Sequence, residues 1–337
     1  MNNAADQGRV DTLRWGFVGT GRIARSMAEV LRDCPVGALA AVTSRRLSSA
    51  RAFAAEFGAR SATDSLDSML ADDVDAVYVA TPTGVREAIA VAAARAGKHV
   101  LAEKPFASVD SLERIVDACR EADVCFMDAT HFVHHPRYTA VQRDADTLVG
   151  RPRTLDSSFR IPLPDRSDIR YDVSLEPLGA LGDLGWYNLR AALEYLVPEQ
   201  PIGKARASLR RDPGTGAIVA AEGRLLFDDD SVSTWRCGFD TSRDDIALEL
   251  SGPRGTLRME HFTSESADGS ASYRYAGTRA GDAAEKLIRV DSRASGAALM
   301  FEDFAAAAAS DALRERWARA SLATQGLLDA VMQAADG

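Results

Sequence analysis

The stretch LRWGFVGTGRIA (residues 13–24) constrains this chain more than any other. An apolar run ends at a glycine, and Gly19-Thr20-Gly21-Arg22-Ile23-Ala24 then opens a segment of helical periodicity. Gly19 permits a tight turn, Gly21 lets the backbone approach a bulky anion, and Ala24 keeps helix and strand close. The unpaired N–H groups of the helix N-terminus face that anion. A purely structural glycine turn is the plainer alternative. A strand before the loop and a helix after it are the context in which GxGxxA signals a dinucleotide pyrophosphate.

The same rhythm continues to about residue 130. LAAVTS (39–44), VDAVYVATP (74–82), HVLAE (99–103) and VCFMDA (124–129) read as strands. Between them, helical spacing places Ile23, Met27, Val30 and Leu31 on one face, then Ala50, Phe53, Ala54 and Phe57. Val85, Ala88, Ile89 and Ala92 mark a third helix, and Leu112, Ile115, Val116 and Cys119 a fourth. Gly58 and Gly97 close two of these helices, and Ser108 is a suitable N-cap for the last. Such alternation predicts an α/β fold with a doubly wound parallel Rossmann sheet. The second half differs. Residues 153–163, 204–211, 217–227, 231–240 and 245–252 read as strands of an open, mainly antiparallel sheet, with Asp228-Asp229-Asp230 as a tight connection. GPRGTLRM (252–259) reads as a structural turn and strand. Helices interrupt near 179–196 and close the chain over 297–334. We expect a dinucleotide-binding unit over residues 1–130 and an α+β unit for substrate and oligomer contacts over 131–337, its last helices able to pack back on the first.

The formal charge of -9 argues against a general nucleic-acid or anionic-membrane binder, which needs a basic face. Cys34, Cys119, Cys125 and Cys237 show neither CxxC nor metal-ligand spacing, as expected of reduced cytoplasmic thiols. The polar start MNNAADQGRVD has no apolar core of a leader, and no window is apolar enough for a membrane span. A cytoplasmic protein without metal is the expectation.

Two places carry chemistry. The second strand ends in Ser44-Arg45-Arg46, where a carboxylate would hold the ribose 2′-hydroxyl of NAD. A hydroxyl and two guanidinium groups instead suit a 2′-phosphate, so NADP(H) is the expected cofactor. A solvated loop is the alternative for the arginines. The fourth strand runs into Glu103-Lys104-Pro105. Ligands of doubly wound sheets bind beyond the carboxyl ends of the strands, so these charges can face the crevice. A salt-bridged pair at a strand end is the plainer alternative.

GTGRIA, VYVATPT, AGKHVLAEKP and GALGDLGWYNL occur in this order and together resemble the glucose–fructose oxidoreductase and inositol dehydrogenase family of NAD(P)-dependent oxidoreductases. The resemblance covers most of the first 195 residues. It implies a Rossmann domain followed by an open-sheet domain that forms a homodimer or homotetramer. It places Lys104 against substrate beside the nicotinamide, with Glu103 near the cofactor. It also places Gly19, Thr20, Gly21, Arg22 and Ile23, with Thr81, Pro82 and Thr83, around the cofactor. Where many members carry His four positions after that proline, this chain has Arg86. Asp183 and Tyr187 fall on the family's acid and its His or Tyr; tyrosine there is similar to the dihydrodiol dehydrogenase and nucleotide-ketosugar reductase branches. Helical i, i+4 spacing puts both on one face, and Gly185 between them would admit a ligand.

The implied chemistry is hydride transfer from NADPH to the carbonyl of a sugar-like substrate, a nucleotide-activated ketosugar being one candidate. Tyr187 would protonate the oxygen, with its pKa lowered by the Lys104 cation. The opposite allotment, Lys104 as acid and Tyr187 as positioner, stays open. His131, His134 and His135 lie in THFVHHPRY beyond the fifth strand. His131 and His134 are candidate substrate contacts, loop histidines being the alternative, and Pro136 argues against a helical metal site. Arg170 is a candidate for a phosphate or for pairing with Asp168 or Asp172. Reduction of an imine, oxidation of a dihydrodiol or pyranose, and a non-catalytic NADP sensor are the competing readings. A sensor would need the glycine loop but not Lys104, Asp183 and Tyr187 together.

Overall fold

The computed structural model describes residues 12–199, 204–278 and 285–336; the polar N-terminal segment read above for a leader lies outside them. Six parallel strands, β1 (Leu13–Val18), β2 (Gly37–Thr43), β3 (Ser61–Thr63), β4 (Ala76–Val79), β5 (His99–Ala102) and β6 (Phe126–Asp128), form one sheet in the order 3-2-1-4-5-6. The strand order reverses between β1 and β4, which is where such sheets open a ligand crevice at their carboxyl edge. The helices α1 (Arg22–Arg32), α2 (Leu47–Phe57), α3 (Leu66–Leu70), α4 (Thr83–Arg95) and α5 (Val109–Glu121) are the crossovers. Every residue of β4 is buried, as a strand covered on both faces requires. Ser108 caps α5 by accepting from the Ser111 N–H, and Gly58 ends α2 in the left-handed region.

Two helical faces are rotated from the sequence reading. Helix α1 buries Ala24, Met27, Ala28 and Leu31, leaving Ile23 41% exposed, because the small alanines take the close contact with the sheet. Helix α4 buries Thr83, Arg86, Ala90, Ala93 and Ala94, and Val85 is exposed. An arginine therefore sits where an apolar residue was expected.

The second sheet has eight strands: β7 (Thr154–Arg160), β8 (Lys204–Arg211), β9 (Ile218–Leu226), β10 (Val232–Gly238), β11 (Asp245–Gly252), β12 (Gly255–Glu260), β13 (Ala271–Gly277) and β14 (Lys286–Val290). Their order is 14-13-12-11-7-10-9-8, antiparallel except for the central β7–β10 pair. That pair is parallel because the chain leaves β7 through a long helical crossover before returning. Asp229 closes the β9–β10 turn by accepting from the N–H and hydroxyl of Ser231. One sheet face buries Leu155, Trp235, Cys237, Leu250 and Met259; Asp156, Arg236, Glu249 and Arg258 stand on the other.

Helix α6 (Pro136–Asp144) leads into β7, and the crossover after β7 carries α7 (Trp186–Leu196). The chain ends in α8 (Gly296–Ala308) and α9 (Asp311–Asp336), which return to the parallel sheet. Trp15 of β1 packs on Phe301 and Phe304 of α8, with ring centroids 5.0 and 4.9 Å apart. A buried ion pair locks α7 to β6 and α9: Arg190 Nη1 lies 3.2 Å from Asp128, which also accepts from Ser321 at 2.5 Å. Both side chains of the pair are 1% exposed. Arg190→Met leaves the Asp128 carboxylate buried without its cation, so denaturant unfolding should show a loss of about 3–5 kcal/mol. Unchanged stability would mean that the pair contributes no net stabilisation.

Candidate active site

The loops after β1, β2 and β4 meet at the crevice. Gly19 has φ +109°, and a Cβ there would lie 2.5 Å from the Ala80 carbonyl oxygen, so only glycine lets these two loops close up. A Cβ on Gly21 would meet nothing within 4 Å: the first turn of α1 opens onto free space. No side chain caps that helix, which leaves its N–H groups for an anion. Thr20 and Ser44 face each other with hydroxyls 3.4 Å apart, joining the glycine loop to the end of β2. Arg45 and Arg46 are exposed, and among the described residues neither meets a carboxylate. The Thr81 hydroxyl is buried without a hydrogen-bond partner. An open glycine cradle, an orphaned hydroxyl and two spare guanidinium groups fit a phosphorylated dinucleotide. Thr83 is already engaged, its N–H and hydroxyl bonded to Glu176 at 3.2 and 2.7 Å.

At the end of β5, Glu103 and Lys104 part company. Glu103 accepts from the Tyr78 hydroxyl at 2.5 Å, and burial raises its pKa against the opposing pull of Lys104. Lys104 does not stand in open crevice; its side chain is 6% exposed. Its ammonium donates to the Asp183 carbonyl at 2.6 Å and to the Asp183 carboxylate at 3.0 Å. It also lies 4.9 Å from the centroid of the Tyr187 ring. The peptide bond from Lys104 to Pro105 is cis.

Asp183 reaches Lys104 from a single wide turn, Leu181–Gly185, of π-helical hydrogen bonding that leads into α7. Gly182 is needed there, since its Cβ would press on Pro105 at 2.7 Å. Gly185 admits no ligand: its open side meets Leu181 and the Cys237 sulfur, so it serves packing. The second carboxylate oxygen of Asp183 accepts from Arg170 at 2.5 Å. Arg170 pairs in turn with Asp168 at 3.1 Å, and Asp168 with Arg22 of the glycine loop at 3.4 Å. A chain of alternating charges thus runs from the glycine loop to Lys104. Burial opposes ionisation of Asp183, yet the charges of Lys104 and Arg170 hold it well below the usual carboxylate range.

Tyr187 opens α7 beside this pair and is 8% exposed. Trp186 anchors that turn by donating to the Thr130 hydroxyl at 2.7 Å. The Tyr187 hydroxyl lies 3.4 Å from His131 Nε2. Burial, then the nearby Glu103 and Asp183 carboxylates, raise the Tyr187 pKa well above 10. This reverses the sequence expectation of a lowered value. Lys104 is not a lone cation here: it is paired with Asp183, and the phenol is buried beside carboxylates. His131 is pushed down to about 4 by burial and by the Lys104 charge, so its imidazole is neutral at working pH.

His134 lies apart from this group. Its ring turns away from Tyr187, stacks on Trp317 at 4.6 Å and meets Asp303 at 2.7 Å between α8 and α9. His135 is likewise structural, capping α6 by accepting from the Arg137 N–H. Among the described residues no group of three or more His, Cys, Asp or Glu is placed to hold a metal ion. None of the described helices is long and apolar enough to cross a membrane.

Residues 13–130 match the model of an oxidoreductase family with an NAD-binding Rossmann fold, and residues 139–258 match the GFO/IDH/MocA C-terminal domain. The chain belongs to this family of oxidoreductases. It is 33% identical to a dTDP-3,4-didehydro-2,6-dideoxy-alpha-D-glucose 3-reductase of Streptomyces violaceoruber, over 99% of this chain and 98% of that one. It is 32% identical to an NADP(+)-dependent D-xylose 1-dehydrogenase of Haloferax volcanii, over 68% of this chain and 70% of that one. A 3-ketoreductase of Actinomadura kijaniata, solved with NADP and TDP-benzene, superposes with a TM-score of 0.87 at 27% identity, covering 96% of this chain and 98% of that one. The sequence expectations of family, fold class and oxidoreductase activity are borne out. What these relatives bind and reduce accords with the expected NADP and sugar carbonyl.

Proposed function

We propose that this enzyme uses NADPH to reduce a keto group on a sugar-like substrate of the nucleotide-activated ketosugar class. The observation that carries the reading is Tyr187, kept protonated beside a lysine that Asp183 pins at the carboxyl edge of the sheet. The relatives that reduce dTDP-linked ketosugars support the substrate class.

When bound, the reduced nicotinamide supplies a hydride. The chain's own residues do the rest. Lys104, held by two bonds to Asp183, keeps a third N–H for the substrate oxygen. Tyr187 holds its proton throughout the physiological range and gives it to the oxygen as negative charge develops there. The phenolate left behind has the Lys104 ammonium, 4.9 Å from the centroid of its ring, as a nearby cation until water reprotonates it. A phenol that keeps its proton enters the reaction as a general acid, the role that reduction of a carbonyl requires of it. His131, neutral and 3.4 Å from the phenol, orients that hydroxyl and contacts substrate. Arg170 acts through Asp183, which it orients, as well as flanking the substrate space.

Gly19, Thr20, Gly21, Arg22 and Ile23 hold the pyrophosphate, and Thr81, Pro82 and Thr83 line the nicotinamide side with Glu103. Ser44, Arg45 and Arg46 take the 2′-phosphate. The outer face of the eight-stranded sheet, with its alternating Arg and Asp or Glu, is the contact of a homodimer or homotetramer. The four buried, unpaired cysteines suit a cytoplasmic setting.

Steady-state kinetics should give a kcat/KM at least about tenfold higher with NADPH than with NADH, one charge-assisted phosphate contact being worth that much. Preference for NADH would overturn the role of Arg45 and Arg46. Tyr187→Phe should lower kcat by about 10²–10⁴-fold with NADPH affinity unchanged, measured by fluorescence titration. Full turnover in that variant would remove Tyr187 as the acid.

A further inference from the structure

The buried arginine of α4 is unexplained by the chemistry above. Arg86 is 3% exposed, and burial lowers its pKa, with the Glu176 and Glu103 carboxylates opposing the shift. A cation in such a place needs fixed acceptors. One terminal nitrogen donates to the Pro105 carbonyl and, at 3.2 Å, to the Thr83 hydroxyl; the other donates to the Thr81 carbonyl. The bonds join two loops with little else between them. Strands β4 and β5 are paired up to Val79 and Ala102, and the Glu103 N–H reaches the Val79 carbonyl at 3.1 Å. Beyond that bond the loops 80–83 and 104–106 diverge. Among the described residues, no backbone hydrogen bond connects them.

The geometry points to Arg86 as a positioning residue for Lys104: its guanidinium fork staples the nicotinamide-side loop at Thr81 to the carbonyl of Pro105, the residue after the lysine. Only a planar fork does this. The two terminal nitrogens diverge toward carbonyls on different loops, and a lysine ammonium in the same space reaches one of them. The Lys104 backbone is then fixed on the Pro105 side by Arg86, while its ammonium is fixed by Asp183. The bonds of Arg86 go to Thr81, Thr83 and Pro105, so it acts on Lys104 through its neighbour.

The role of Lys104 rests on the reading of the site as a ketoreductase, and the test separates the two. Arg86→Lys keeps a charge without the fork; Arg86→Met removes both. Hydrogen exchange on the cofactor-free protein, followed by mass spectrometry, should speed up in both variants within 80–84 and 103–107, with β1, β6 and the second sheet unchanged. This readout does not depend on any reaction. With dTDP-3,4-didehydro-2,6-dideoxy-glucose as probe substrate, kcat should fall about ten- to a hundredfold in Arg86→Lys, as for a misplaced catalytic group. The KM for NADPH should stay within about threefold, because ground-state binding is retained. Local loosening without turnover of the sugar by the wild type would sink the ketoreductase reading and leave the staple standing. Unchanged exchange in Arg86→Lys, or loosening spread evenly over the chain, would overturn the staple. Arg86→Lys decides the matter if Arg86→Met does not fold.

Discussion

A lysine at the end of an apolar strand and an aspartate from a helical turn more than seventy residues later meet at 3.0 Å, and the rest of the site is built around that contact. Lys104 comes from the parallel sheet, Asp183 from the crossover of the second sheet. Neither charge is tolerable in this setting alone, since each is largely removed from water. Together, and with Arg170 on the far oxygen of Asp183, they form a fixed array that joins the two sheets at the crevice. The π-helical turn, the contact of Gly182 with Pro105 and the anchoring of Trp186 on Thr130 all serve the placing of this pair and of Tyr187 behind it.

The electrostatic consequence runs against the simplest expectation. A cation near a phenol lowers its pKa. Here the cation belongs to an ion pair, and the phenol is buried beside two carboxylates, so desolvation wins and the proton stays. The phenol therefore enters the reaction in its protonated form. That matches reduction of a carbonyl, in which the developing alkoxide is far more basic than the phenol.

Much of the fold was legible because strand and helix periods alternate so regularly up to residue 130, and because Trp235 and Cys237 of β10, with Phe239 just beyond it, alternate inward. What escaped has physical causes. Strand β3, Ser61–Thr63, is too short and polar to show a period, and β13 and β14 carry charged residues on their open sides. The glycine loop, Lys104, Asp183 and Tyr187 were legible as motifs, and the structure brings Lys104, Asp183, Tyr187, His131 and Arg170 together. The contact of His134 with Asp303 is not legible in the sequence, because Asp303 lies on a distant helix. Nothing local in the sequence marks Glu176 or Tyr78; each matters only through a partner across the fold, Thr83 and Glu103. Arg86 was legible as a departure from a familiar pattern, but its burial was not, since helix α4 has alanines on both faces and no clear apolar stripe.

The proton state of Tyr187 is the point on which the account turns, and it can be observed without turnover. Tyrosinate absorbance, followed on raising the pH in the wild type and in Tyr187→Phe, isolates this one phenol. The account predicts that the two curves coincide up to and beyond the ordinary tyrosine value of about 10. A tyrosinate forming below that value in the wild type and missing from Tyr187→Phe would contradict it.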